Sequence, residues 1–223
     1  MKKYKTVIFD LDGTLLDTLE DLCDSTNFAL ASFGYPERTL EEVRSFVGNG
    51  IGKLIERALP RGLENADYNA VLERFKAHYG ENCNNKTKAY EGIYELLNAL
   101  KSNDIGIAVV SNKVDSAVRE FCERYFGGFF TIAIGKKENI RRKPAPDSVF
   151  AAMEKLGAVP ASTVYVGDSE VDVQTAKNAG VPCLSVTWGF RDEAEIHAAG
   201  GRYFCRKPEE LAACLEEMLS GQT

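Results

Sequence analysis

A short β-branched run, Thr6-Val7-Ile8-Phe9, stops abruptly at two carboxylates, for the chain continues Asp10-Leu11-Asp12-Gly13-Thr14. The run reads as a buried strand, whose residues should stay apolar until the sheet ends. On an extended segment the side chains at i and i+2 point the same way, so the spacing predicts Asp10 and Asp12 side by side. Neighbouring acids repel and push their pKa values apart, which folding alone does not favour. Gly13 then allows a sharp turn and the close approach of a ligand to the backbone. A strand end with two solvated acids is the plain alternative. A divalent cation together with a phosphoryl group accounts for the pair and the glycine at once.

The chain of 223 residues is long enough for one large domain, or for one domain carrying an insertion. Its net charge of -6 argues against a nucleic-acid partner but leaves room for a small anionic ligand in a locally positive pocket. Cys23, Cys83, Cys122, Cys183, Cys205 and Cys214 are scattered, with no Cys-x-x-Cys and no adjacent His. They read as reduced, mostly buried thiols rather than a disulfide framework or a zinc site. No secretory apolar segment follows Met1-Lys2-Lys3, and no stretch of about 18 apolar residues occurs. The expectation is a cytoplasmic protein with no membrane partner. No heptad seam or strand-edge signature separates a monomer from a homodimer.

After the first strand the pattern turns helical. Asp17 or Thr18 can cap a helix reaching about Phe33, and Thr39-Leu40-Glu41-Glu42 is a capping box for a second. Gly48-Asn49-Gly50-Ile51-Gly52 interrupts this, and helical patterns resume over 53–59 and 66–79, with Gly80 as a stop and 81–88 as a polar linker. From Tyr90 onward helices alternate with apolar strands near 106–110, 131–134, 163–166, 183–186 and 202–204. Such alternation predicts an α/β fold: a doubly wound (Rossmann-like) parallel sheet core, residues 1–14 and 89–223, with an inserted α-helical cap, residues 15–88.

Doubly wound sheets bind ligands at the carboxyl ends of their strands, so the residues just past each apolar run carry the chemistry. These are Asp10 and Asp12; Ser111-Asn112-Lys113; a basic segment from Lys136 to Lys143; and Gly167-Asp168-Ser169 with Asp172. Each has a modest alternative. Ser111 or Asn112 can cap the following helix, the basic segment can be a solvated loop, Asp168 can cap a helix, and Asp172 can lie on that helix's exposed face. Taken together, the alternatives demand four coincidences along one edge of the sheet. Among the basic residues, Lys143, set before Pro144-Ala145-Pro146, is the one singled out.

With these residues in place, the chain resembles the phosphatases of the haloacid dehalogenase (HAD) superfamily over essentially its whole length. Asp10-Leu-Asp-Gly-Thr14 matches the family's first motif, Ser111 the second, Lys143 the third, and Gly167-Asp168-Ser169-Glu170-Val171-Asp172 the fourth. The helical insertion resembles a cap of the C1 type. Phe46-Val47-Gly48-Asn49-Gly50, Val110-Ser111-Asn112-Lys113 and Val186-Thr187-Trp188-Gly189-Phe190 further resemble the phosphoglycolate phosphatase branch.

The resemblance implies hydrolysis of a small phosphate ester, with 2-phosphoglycolate the best match, and Mg2+ as cofactor. It casts Asp10 as nucleophile, Asp12 as general acid and base, and Ser111 and Lys143 as phosphate ligands, with Thr14 and the Asn112 amide adding hydrogen bonds. The metal ligands it implies are the Asp10 and Asp168 side chains and the Asp12 carbonyl, while Asp172 holds the metal's waters or orients Lys143. Gly48-Asn49-Gly50, at a helix start, is a candidate anion-binding loop or else a plain connection. His78 and His197 read as surface or packing residues. Pyrophosphatase and nucleotidase activities stay open within the hydrolases. A β-phosphoglucomutase-like mutase would commonly need a cap arginine, which Asn49-Gly50-Ile51-Gly52 lacks. A phosphonate hydrolase would need a Schiff-base lysine, and Lys53 does not lie in that pattern. A non-catalytic binding module would be expected to have lost one of the motif residues.

Overall fold

The computed structural model describes residues 4–220. The first strand, β1 (Thr6–Phe9), is fully buried. The chain then leaves for a compact helical unit, Leu16–Lys88, and returns at Ala89 to complete an α/β unit that also contains everything up to Leu15.

The helical unit opens with β2 (Leu16–Asp17) and holds α1 (Leu19–Ala31), α2 (Leu40–Phe46), α3 (Ile51–Ala58) and α4 (Tyr68–Asn82), then closes with β3 (Lys88–Ala89), which pairs with β2. The α2 capping box forms as its sequence requires: the Thr39 hydroxyl accepts from Glu42 N–H, and Glu42 accepts from Thr39 N–H. Helix α4 runs through Gly80 rather than stopping there, because a glycine in an open helix position costs only about 1 kcal/mol. The expected linker shortens accordingly. Asp21, buried, gathers the returning chain by accepting from the backbone N–H groups of Lys86 and Thr87 and from the Thr87 hydroxyl. His78 stacks on Phe28 at 4.0 Å and meets the Ser25 hydroxyl at 3.0 Å, a packing role.

The α/β unit continues with α5 (Ile93–Ser102), β4 (Gly106–Val114), α6 (Asp115–Phe126), β5 (Ala133–Lys136), α7 (Asp147–Leu156), β6 (Thr163–Gly167), α8 (Glu170–Ala179), β7 (Cys183–Val186), α9 (Glu193–Ala198), β8 (Tyr203–Cys205) and α10 (Leu211–Ser220). The sheet order is β5-β4-β1-β6-β7-β8, and every neighbouring pair is parallel. This is the doubly wound arrangement that the alternation of helices and strands demands, with β1 central. Alternate side chains serve opposite faces. Ile8 packs with Ala108, Val110, Tyr165, Val149 and Ala176 under α7 and α8, whereas Phe9 meets Phe130 edge-on at 6.2 Å on the other side.

Two strands differ from the sequence expectation. β4 runs on through Ser111-Asn112-Lys113 to Val114, with an irregular register against β5, so Val114 precedes α6 and neither Ser111 nor Asn112 caps it. β5 begins at Ala133, and the basic segment beyond it folds back through an antiparallel bridge between Lys137 and Ile140. Helix α9, opened by an Asp192–Glu195 capping box, carries the helical pattern in which the sequence sets His197. His197 lies on it, stacked on Phe204 at 6.5 Å.

Candidate active site

The carboxyl ends of β1, β4 and β6 bring the site together in the α/β unit. β1 ends at Phe9, and the chain bends at Leu11, whose side chain is fully buried. Past that bend Asp12 lies outside β1, the extended segment on which the i, i+2 expectation rests. Asp12 meets the ammonium of Lys113 at 3.0 Å. The acids that crowd Asp10 are Asp168 and Asp172, brought from the end of β6 and the first turn of α8: one carboxylate oxygen from each of the three lies within 4.8 Å of the others.

The three carboxylates are almost completely buried, and so is the one ammonium beside them. Lys143 Nζ lies 2.8 Å from Asp10 Oδ1 and 2.8 Å from Asp172 Oδ1, and it donates to the Tyr165 hydroxyl at 3.1 Å. Asp172 is fully committed: Oδ1 accepts from Lys143 and Tyr165, while Oδ2 accepts from the backbone N–H and hydroxyl of Ser169. Asp168 Oδ1 accepts from the Thr14 hydroxyl at 3.1 Å, and Oδ2 accepts from Phe190 N–H at 2.7 Å. Thr14 spends its fully buried hydroxyl on Asp168, as a buried hydroxyl requires a partner.

Burial pushes Asp10 well above the ordinary carboxylate range; Lys143 pulls it down, and Asp172 and Asp168 push it up again. Burial and then the Asp172 charge raise Asp168 to about 7, against the lowering effect of the Phe190 amide and the Thr14 hydroxyl. Burial disfavours the Lys143 ammonium, yet the charges of Asp10 and Asp172 outweigh it and hold the amine protonated above its usual value. Three buried acids facing one buried base leave a deficit of two positive charges. Asp10 Oδ1 also has no hydrogen-bond partner despite its burial, since its contact with Lys143 lies outside hydrogen-bond geometry. A divalent cation with oxygen ligands suits both features. Gly13, at φ +84°, leaves room for this arrangement, for a Cβ there would stand 2.4 Å from Asp168 Oδ2.

Ser111 and Asn112 reach the site along the extended end of β4. The Ser111 hydroxyl accepts from Lys113 N–H at 3.2 Å and keeps its own proton to donate. Asn112 clamps the backbone of Lys143, accepting from its N–H at 2.9 Å and donating to its carbonyl at 3.2 Å. The Lys143–Pro144 peptide is cis. In the helical unit, Gly48 and Gly50 both hold positive φ, and Gly50 accepts from Lys53 and Leu54 N–H at the start of α3. Asn49 lies between them, and Lys53 pairs with Glu56.

Tyr165 escaped the sequence reading, and Lys113 was read only as part of the segment that follows Val110. Tyr165 places a hydroxyl in the middle of an otherwise apolar strand, and a buried tyrosine needs a polar partner, which was the available signal. Lys113 stands two residues beyond Ser111, and its ammonium also lies 4.6 Å over the ring of Phe121.

Residues 7–186 match the model of the haloacid dehalogenase-like hydrolases. The chain is 35% identical over 200 residues to a phosphoglycolate phosphatase of Pseudomonas putida, covering 87% of this chain and 73% of that protein. It is likewise 35% identical over 219 residues to phosphoglycolate phosphatase 1 of Pseudomonas aeruginosa, covering 96% of this chain and 80% of that one. A crystal structure from Lactobacillus delbrueckii subsp. bulgaricus, described as that of a phosphoglycolate phosphatase candidate, superposes with a TM-score of 0.92 at 36% identity, covering 99% of this chain and 100% of that chain. With the family match running from the central strand through β7, and the buried acids lying inside it, this chain belongs to the haloacid dehalogenase-like hydrolases.

Proposed function

We propose that this hydrolase uses Mg2+ to cleave a small phosphate monoester, and that its substrate is 2-phosphoglycolate. The observation that carries the phosphatase reading is the buried trio Asp10, Asp168 and Asp172 around a single Lys143 ammonium. The choice of substrate is supported by the relatives named above.

In this reading an Asp10 carboxylate oxygen attacks phosphorus in line while the ester P–O bond breaks, giving an aspartyl-phosphate and an alkoxide. Asp12 delivers a proton to that leaving oxygen, then takes one from the water that hydrolyses the aspartyl-phosphate. Inorganic phosphate leaves and Asp10 is restored. Lys143 and Ser111 hold phosphoryl oxygens as charge develops on them, and the Asn112 amide adds a donor. The Asp10 and Asp168 carboxylates and the Asp12 carbonyl would hold Mg2+, which would supply the charge neutralisation that lets an anion approach a phosphate. Asp172 orients the Lys143 ammonium. The Leu16–Lys88 unit acts as the cap that excludes water and selects the leaving group, with the backbone of Gly48-Asn49-Gly50 taking the substrate carboxylate. The reading places the enzyme in the cytoplasm, a compartment that suits cysteines outside any disulfide.

Inorganic phosphate release from 2-phosphoglycolate, pyrophosphate, a nucleoside monophosphate and p-nitrophenyl phosphate tests this, with Mg2+ or with chelator and with Asp10→Asn as blank. Mg2+-dependent release led by 2-phosphoglycolate is the expected outcome. Release led by another ester overturns the substrate and keeps the chemistry. No release from any of them overturns the phosphatase reading.

A further inference from the structure

The loop that leaves β7, Thr187-Trp188-Gly189-Phe190-Arg191, touches the acid cluster at several independent points, and the mechanism above gives it no task. The Phe190 N–H donates to Asp168 Oδ2 at 2.7 Å. The Trp188 indole N–H donates to the Thr14 carbonyl at 3.2 Å, and the Thr14 hydroxyl in turn donates to Asp168 Oδ1 at 3.1 Å. Gly189 lies so flat on the site that a Cβ there would stand 2.4 Å from Asp168 Cβ, Asp168 Oδ2 and the Gly13 carbonyl. Arg191, almost fully buried, pins the far end by donating to Glu170 Oε2 at 3.0 Å, in the first turn of α8. One end of the loop is thus tied to the turn after β1 and the other to the helix after β6. These are the two segments that supply Asp10 and Asp168.

We propose that this loop is a positioning strap for the cation site: it fixes the Asp168 carboxylate from both oxygens, so that the carboxylate meets an incoming divalent cation already oriented. The inference rests on the cation reading of the site. Groups that hold a metal ligand by hydrogen bonds set its orientation and basicity, and losing one typically weakens metal binding about 10- to 100-fold. Trp188 is the chain's one tryptophan, so its fluorescence also reports on the strap itself.

The test is titration of the intact protein with Mg2+ alone, by calorimetry and by Trp188 fluorescence, comparing wild type with Gly189→Ala and Trp188→Phe. Thermal unfolding without metal checks that each variant is folded. The expected result is a Mg2+-dependent fluorescence change in wild type, and calorimetric Mg2+ affinity lowered about 10- to 100-fold in Gly189→Ala. A folded Gly189→Ala that binds Mg2+ as tightly as wild type overturns the strap. Where Gly189→Ala does not fold, Trp188→Phe decides by calorimetry: weaker Mg2+ binding upholds the strap and unchanged binding overturns it. Wild type that binds no Mg2+ overturns the cation reading itself, a result distinct from the other two.

Discussion

Replacing Asp10 with Asn removes one of three carboxylates that share a single buried ammonium, and two effects of opposite sign follow. On the proposed mechanism turnover should vanish, while the metal-free protein should melt higher because one of three mutually repelling buried acids has gone. Each kcal/mol gained appears as about 2–4 °C in a chain of this size, readable by calorimetry in chelator. Lys143→Met has the reverse sign on stability and should lower kcat/KM by at least ~100-fold. Lys113 invites a different measurement, since its ammonium touches Asp12 rather than Asp10. Lys113→Met should slow hydrolysis of an alkyl phosphate about tenfold more than that of p-nitrophenyl phosphate, whose leaving group needs little protonation. At this scale the sequence told much. Asp10, Ser111 and Asp168 could be picked out because each stands where an apolar run ends and no fold requires polarity, and Lys143 because it closes the basic segment before Pro144. It gave no sign that Lys113 meets Asp12, because the bend at Leu11 is set by tertiary packing and leaves no periodic trace.

Among the elements, β4 shows most clearly where local reading fails. Val109-Val110 looks like the strand's end, yet β4 draws Ser111, Asn112 and Lys113 into extended backbone, which brings three polar side chains to the sheet's edge instead of a helix cap. Capping boxes, by contrast, depend on residues three apart and were legible at Thr39. The return of the chain from the helical unit depends on Asp21, which takes two backbone N–H groups from residues 65 and 66 positions away. No sequence window joins such partners. Asp21→Ala should strand those buried donors and lower the stability of the protein by ~1–3 kcal/mol, measured by urea unfolding.

For the whole molecule, the excess of buried acid makes stability and cation binding a single quantity. Asp168 holds its proton up to about pH 7 in the folded chain, against an ordinary value of 3.8. Between those values the folded state binds more protons than the unfolded one, so this group stabilises the metal-free protein fully below pH 4 and loses that contribution as pH rises to 7. A cation must displace the same proton. Added Mg2+ should therefore raise the melting temperature more at pH 8 than at pH 5.5, and differential scanning calorimetry in Mg2+ and in chelator measures both slopes. The sheet order itself was readable because apolar strands alternating with helices admit few other solutions. The helical unit presents another property of the architecture. It begins and ends in two-residue strands that pair with each other, so the chain exits and re-enters through one narrow doorway. A segment whose ends are neighbours can be lengthened, exchanged with that of a relative or replaced by a tight turn while the order of the surrounding strands stays as it is. In evolutionary terms, the helices between Leu16 and Lys88 can change while the strand order that carries the acids after β1 and β6 is kept.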